Sequence, residues 1–278
     1  MGTCWRARDT TLNRQVAIKI PQSGLGASED EKLLARLRQE VEAVGACNHE
    51  NVTDVFSSHL DEPIPFVVFE DLGDTNLRSL VAARSPLLTP RNVRIVAEDL
   101  LEALAYVHSK QWVHRDIKPS NIMWVQEANT LHVKLIDFGI ATNLTVGANM
   151  MHTTTGVAPG TRAYMAPMAT HFQNDPRNDL WSLAVTLAEC LLYECPRVAF
   201  DAATEQWGSL PANDAFYKQQ SVRGSNVELD ELLRIVRTAL SQPQSKGYPD
   251  AREFRDDIRQ AKARAPQPQV GSGGGMGN

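Results

Sequence analysis

A chain of 278 residues has room for one large or two modest domains with a real core; 42 % apolar and 22 % charged residues fit a globular protein. A net charge of −5 offers no basic footprint for nucleic acid or an anionic membrane, and no apolar run approaches the roughly 18 residues of a membrane span. Cys4, Cys47, Cys190 and Cys195 form neither a C-x-x-C pair nor a metal-ligand spacing, which points to a reducing, cytoplasmic compartment, and the N-terminus is not a secretory signal.

Residues 1–20 hold two strand-like runs around the polar turn T-T-L-N-R. The second, Val16-Ala17-Ile18-Lys19, alternates and closes on a lysine, which is ordinarily a solvated strand end. Residues 28–46 form the clearest helix of the first third, with Ser28 and Glu31 as a capping box. Leu33, Leu37, Glu40, Val41 and Val44 share one helical face. Glu40 therefore interrupts an apolar stripe and needs a cation, for which Lys19 is the candidate. Glu42 points the other way, to solvent. Residues 51–60 and 64–69 then read as two strands.

From residue 74 the chain turns helical. Asn76 opens a short helix, and Thr89 caps a long one with Pro90 at its first position. Val93, Val96, Ala97, Leu100, Leu101, Leu104 and Val107 recur at three and four, a core stripe rather than a cofactor box. That helix delivers the chain to W-V-H-R-D-I-K-P-S-N-I-M-W at 112–124, which reads as strand, polar loop, strand. The loop aims Asp116, Lys118 and Asn121 at one point, with His114 and Arg115 beside them. A strand at Val133–Ile136 runs straight into Asp137-Phe138-Gly139, where Gly139 would let the backbone turn sharply. Residues 140–168 are small, polar and Thr-rich, and close on G-T-R-A-Y-M-A-P-M. The helix opening at Asn178 is almost wholly apolar, which argues full burial. Helices at about 226–241 and 249–262 follow, then a Pro/Gly-rich flexible tail.

The V-A-I-K strand, the H-R-D loop with an Asn five residues after its Asp, D-F-G and the G-T-x-x-Y turn stand here in an order and spacing that resemble eukaryotic-type (Hanks-type) Ser/Thr protein kinases, over about residues 1–263. The resemblance implies an α+β, bilobal fold. A small β-rich lobe would cover 1–71, a larger helical lobe 72–263, and a tail 264–278. It implies ATP and Mg²⁺ as cofactors and a protein substrate offering a Ser or Thr hydroxyl. Asp116 would take the hydroxyl proton; Lys19 and Lys118 would neutralise phosphate charge; Glu40 would pair with Lys19; Asn121 and Asp137 would hold the magnesium. Thr161 would hydrogen-bond Asp116 and Lys118. Gly2, Cys4, Ala17, Lys19, Phe69, Glu70, Leu72, Met123 and Asp137 would line the nucleotide cleft, with Phe69 at its back and Glu70 to Leu72 as the hinge. Asp179 would hold the catalytic-loop backbone, although a helix-capping Asp would look the same. Arg115 would be an unpaired cation until a phosphate on Thr153, Thr154 or Thr155 reached it.

Two positions depart from the family pattern. Only the last glycine of the phosphate-covering loop, Gly2, is present, with Cys4 where a valine is usual, so the sequence is expected to be N-terminally incomplete. Met168 stands where the family closes A-P-E, and the partner arginine's place holds Lys246. Losing both members of a buried ion pair is far milder than losing one. These departures motivate a rival, a pseudokinase scaffold that binds partners without phosphotransfer. A small-molecule phosphotransferase fits less well, because such enzymes usually lack the G-T-x-x-Y-x-A-P turn.

Overall fold

A computed structural model describes residues 2–22, 27–127, 130–144, 161–166, 174–195, 200–201, 206–207, 227–241 and 246–264. In the first seventy residues, alternating apolar and polar positions build strands β1 (Thr3–Asp9), β2 (Arg14–Ile20), β3 (Val55–His59) and β4 (Phe66–Glu70). They form one antiparallel sheet in the order β1-β2-β4-β3, with Cys4 opposite Lys19 and Ala17 opposite Phe69. Since side chains alternate across a strand, Cys4, Ala17 and Lys19 share the face that looks into the molecule. Helix α1 (Ala27–Gly45) lies against this sheet, its Leu37 packing with Val67 and Phe69. It starts one residue ahead of Ser28, so the expected cap falls inside the first turn, and the Ser28 side chain lies outside the described residues.

The larger part is helical. Helix α2 (Leu77–Ala82) has Asn76 as its cap in a reciprocal box with Ser79. Helix α3 (Pro90–Ser109) begins as expected, Thr89 accepting from Asn92 N–H and Pro90 at the first position. All seven residues of its predicted stripe are buried. Short strands β5 (Trp112–Val113), β6 (Ile122–Glu127), β7 (Thr130–Leu135) and β8 (Thr142–Asn143) carry the loops between them. β6 and β7 form a hairpin and β5 pairs with β8. Helix α4 (Arg177–Leu192) is buried along almost its whole length, which its apolar sequence required. Two-residue strands β9 (Phe200–Asp201) and β10 (Gln206–Trp207) pair, and helices α5 (Val227–Ala239) and α6 (Ala251–Arg264) complete the lobe, α6 packing along α3.

This is the expected α+β architecture of a small sheet lobe beside a helical lobe. One apolar cluster runs through α3, α4, α5 and α6 and reaches Ala43, Val44 and Val52 at the foot of the sheet lobe. A parallel bridge between Val52 and Leu135 stitches the lobes, with Leu135 N–H donating to Asn51 O at 2.8 Å and Thr53 N–H to Leu135 O at 3.0 Å. Among the described residues no helix is long and apolar enough to cross a membrane. Thr153 to Thr155, Met168 and the tail from 265 lie outside the described residues.

Candidate active site

Between the lobes lies a cleft of about 560 Å³. Gly2, Cys4, Ala17 and Lys19 form its roof; Phe69, Glu70 and Leu72 its back and hinge; Met123 and Asp137 its floor. All nine residues expected to line a nucleotide site thus converge on one cavity, brought from five segments by the sheet register and the β6–β7 hairpin. Gly2 is where the roof comes closest to its neighbour: a Cβ there would collide with the carbonyl oxygen of Ile20.

Lys19 reaches across the cleft. Its Nζ stands 2.7 and 2.6 Å from the two Glu40 oxygens and 2.9 Å from Asp137 Oδ1. Glu40 is 3 % exposed, so the acid that breaks the α1 stripe is buried with its cation, whereas Glu42 is exposed. Burial works against the Lys19 ammonium, but the Glu40 and Asp137 carboxylates outweigh it and hold its pKa above the ordinary value. Burial likewise opposes ionisation of Asp137, and Lys19 more than offsets it, leaving the carboxyl below its usual range.

The loop between β5 and β6 carries Asp116, Lys118 and Asn121, all buried. Lys118 Nζ donates to Asp116 Oδ2 at 2.6 Å, and Asn121 Nδ2 donates to the same oxygen at 2.9 Å. Asp116 Oδ1 is buried and has no hydrogen-bond partner among the described residues. One carboxylate oxygen is therefore clamped by two donors and the other is left as an acceptor at the cleft. Burial raises the Asp116 pKa, with Lys118 pulling the other way.

Asp179 anchors this loop from α4. Wholly buried, it accepts from His114 N–H (2.9 Å), Arg115 N–H (2.7 Å) and His108 Nε2 (2.8 Å). Its pKa is lowered: burial pushes it up, but His108 and these donors push it further down. A capping role is thereby excluded, since its acceptor capacity goes to the loop and not to its own helix. His114 is pushed down by burial, against the nearby carboxylates, and its ring meets Phe138 edge-on at 4.5 Å.

Two expectations need correcting. Arg115 is not unpaired: its guanidinium donates to Thr142 Oγ1 at 2.7 Å, because β8 pairs with β5 and brings Thr142 alongside, while Thr153 to Thr155, the expected phosphate sites, lie outside the described residues. The sharp turn at D-F-G belongs to Asp137, with φ +67°, as Arg115 has φ +69°. Gly139 provides room instead; a Cβ there would press on Asp137 Oδ1 at 3.3 Å. Lys246 is exposed, and Met168 lies outside the described residues. Thr161 opens a short 3₁₀ turn, Thr161–Tyr164, but its side chain is also outside them.

Other polar contacts went unrecognised in the sequence, one of them at the cleft. Arg6 pairs with Asp71 (2.8 Å) and Asp74 (3.0 Å) across the mouth. Its place two residues after Cys4, on the same strand face, was the available signal. Tyr164 of the G-T-R-A-Y turn donates to buried Glu189 at 2.6 Å, and Glu189 also accepts from Arg78 at 2.6 Å.

Among the described residues no group of three His, Cys, Asp or Glu could hold a metal ion by itself. Asp137 and Asn121 both border the cleft and offer hard oxygens. Such a pair fits Mg²⁺ whose remaining positions are filled by phosphate oxygens and water.

The protein kinase domain family matches residues 1–242. The chain is similar to serine/threonine-protein kinase PknB of Mycolicibacterium smegmatis, 32 % identical over 271 residues that cover 94 % of this chain and 41 % of that protein. Against PknB of Mycobacterium leprae the identity is 31 %, covering 91 % of this chain and 39 % of that protein. Against serine/threonine-protein kinase PknL of Mycobacterium tuberculosis it is 32 %, covering 92 % and 61 %. The chain thus spans less than two thirds of the length of these relatives. With a family match over most of its length and the family's motifs gathered at one interlobe cleft, the chain belongs to the protein kinase domain family.

Proposed function

We propose that this chain transfers the γ-phosphoryl group of ATP to Ser or Thr hydroxyls of protein substrates. The observation that carries the reading is Asp116 at the border of the cleft, its Oδ2 held by Lys118 and Asn121 and its Oδ1 without a hydrogen-bond partner among the described residues. A substrate hydroxyl donating to that oxygen would pass its proton to a carboxylate made more basic by burial. Bound Mg-ATP supplies the phosphoryl group and an electrophilic phosphorus. The roof and hinge residues grip the nucleotide, Lys19 neutralises phosphate charge with Glu40 fixing its ammonium, and Asn121 with Asp137 hold the metal. Lys118 balances charge at the acceptor side. Lys118 two residues after Asp116, the G-T-R-A-Y turn and the names of the relatives together support Ser/Thr over Tyr. The proposed boundaries are 1–71 for the nucleotide-roof lobe, 72–263 for the helical lobe and 264–278 for the tail. The four cysteines are free, in keeping with a reducing cytoplasm, where ATP is also supplied. Among the described residues no feature favours a scaffold that binds without transfer.

The test is transfer of label from γ-labelled Mg-ATP to a generic protein acceptor, with wild type, Asp116→Asn and Lys19→Met side by side. Asp116→Asn is expected to lose on the order of a thousandfold in rate while nucleotide affinity stays within about twofold. An equally active Asp116→Asn, or wild type that neither binds nor uses ATP, overturns the reading.

A further inference from the structure

The mouth of the cleft is crossed by a set of ion pairs that the chemistry above does not use. Arg6 lies on β1, in one row across the sheet with Ala17 of β2 and Phe69 of β4. That row faces the cleft and ends at β4, from which the chain runs on through residues 70–74. Gly73 turns this stretch with φ +80°, a conformation that favours glycine, and its N–H donates to Asp71 Oδ1 at 3.2 Å. The turn brings two carboxylates, Asp71 and Asp74, to one guanidinium. Arg6 Nε stands 2.8 Å from Asp71 Oδ2, and Nη1 and Nη2 donate to the two Asp74 oxygens at 3.2 and 3.0 Å. A planar guanidinium fork grips both acids at once, which the point charge of a lysine does poorly.

The two ends of this contact belong to different lobes. Asp74 directly precedes Thr75 and Asn76, which are fastened to β6 in the helical lobe. Thr75 O accepts from Trp124 N–H at 2.9 Å, and Asn76 bridges to Met123. Arg6 belongs to the roof, on the same strand and face as Cys4. Lifting the roof away from the helical lobe therefore has to break the Arg6–Asp74 contacts. Arg6 and Asp74 are 43 % and 87 % exposed, against 15 % for Asp71, so dissolved salt reaches and weakens the Asp74 arm.

We propose that Arg6 is a positioning residue, a salt-sensitive clasp that holds the roof strand to the helical lobe across the cleft mouth and so slows the departure of nucleotide. This rests on reading the cleft as a nucleotide site. The effect on the nucleotide passes through the position of the roof strand.

The test uses stopped-flow displacement of a fluorescent N-methylanthraniloyl-ADP from the Mg²⁺-loaded protein. Arg6→Met keeps an aliphatic stem and removes the charge. At low salt it is expected to speed ADP release about threefold, within the range open to exposed ion pairs in a bidentate network. The ratio of variant to wild-type release is expected to shrink towards one as KCl rises from about 0.05 to about 0.5 M, which a role in packing alone would not produce. Asp74→Asn should give a smaller acceleration, since Asp71 still holds Arg6, and adding it to Arg6→Met should change nothing further. Arg6→Lys should recover part of the slow release. Arg8→Met, which removes a guanidinium that donates to Asn13 within its own hairpin, is the control. Release accelerated less than about 1.5-fold in a folded Arg6→Met overturns the proposal. So do equal acceleration by Arg8→Met, additive effects in the double variant, and an acceleration that salt leaves unchanged. Hydrogen exchange across residues 3–9 of the nucleotide-free protein reads the clasp without any ligand. Faster exchange in Arg6→Met supports it and unchanged exchange overturns it. Failure of wild type to bind ADP would instead strike at the proposed function, with the exchange result still deciding whether the clasp forms.

Discussion

Asp99 shows how far a single residue's behaviour can depart from its sequence context. It lies on α3, partly buried against β7, and its carboxylate accepts from Val133 N–H at 3.1 Å. Burial, with Glu102, Glu50 and Glu98 nearby, pushes its pKa up to about 7 despite that donor. A carboxyl raised in the folded state favours folding below its unfolded value near 4, and this contribution is lost as pH rises through about 7. Asp99→Asn keeps an acceptor for Val133 and removes the charge. Between pH 5 and pH 8 wild type is expected to lose about 1–2 kcal/mol more than the variant, after discounting for solvent, in urea unfolding at the two pH values. Parallel losses would refute the assignment. Nothing in the sequence marked Asp99, because the burial that raises it and the Val133 N–H it accepts from come from packing against β7. The Arg115–Thr142 contact was hidden for the same reason: 27 residues separate the pair, and only the β5–β8 pairing joins them. Glu40 was legible because it broke a periodic apolar face, and periodicity is local.

Among the elements, α3 and α4 were read nearly to the residue. Thr89 and Pro90 fix the start of α3 through local hydrogen bonding and a preset φ, and an unbroken apolar run makes α4 a buried helix wherever the fold puts it. The energetic centre of α4 is Asp179, whose three donors come from the catalytic loop and α3. Asp179→Ala would leave two buried backbone N–H groups and an imidazole without their acceptor. It is expected to cost about 3 kcal/mol in denaturant unfolding and to abolish phosphotransfer, since the loop carrying Asp116 loses its anchor. Asp179→Asn, which retains one acceptor oxygen, should cost less. A loss below about 1 kcal/mol for the alanine variant would show that the loop is held by other contacts. Because the folded Asp179 pKa is lowered, its own contribution is present above the usual carboxylate range and is lost as pH falls through the depressed value.

At the scale of the whole molecule, two lobes joined by an apolar cluster that reaches from the helical lobe into the foot of the sheet lobe meet at a cleft. Nucleotide that bridges the lobes must stabilise the folded form by mass action, by about 2.7 kcal/mol at a hundredfold excess over its dissociation constant. Mg-ADP is therefore expected to raise the melting temperature, and Asp137→Asn to remove the part of that rise that depends on magnesium. An undiminished magnesium effect in the variant would place the metal elsewhere. The sequence alone determined the α+β class, the order of the elements and, through the resemblance it carries, nine residues that border the cleft. Strand alternation, helical stripes, caps and short motifs are all local properties, read within a few residues of each other. Tertiary structure alone decided other polar pairs: Thr142 with Arg115, Arg6 with Asp71 and Asp74, Arg78 and Tyr164 with Glu189. Such contacts join side chains far apart in the chain, and only the packing of the elements brings them within reach of each other.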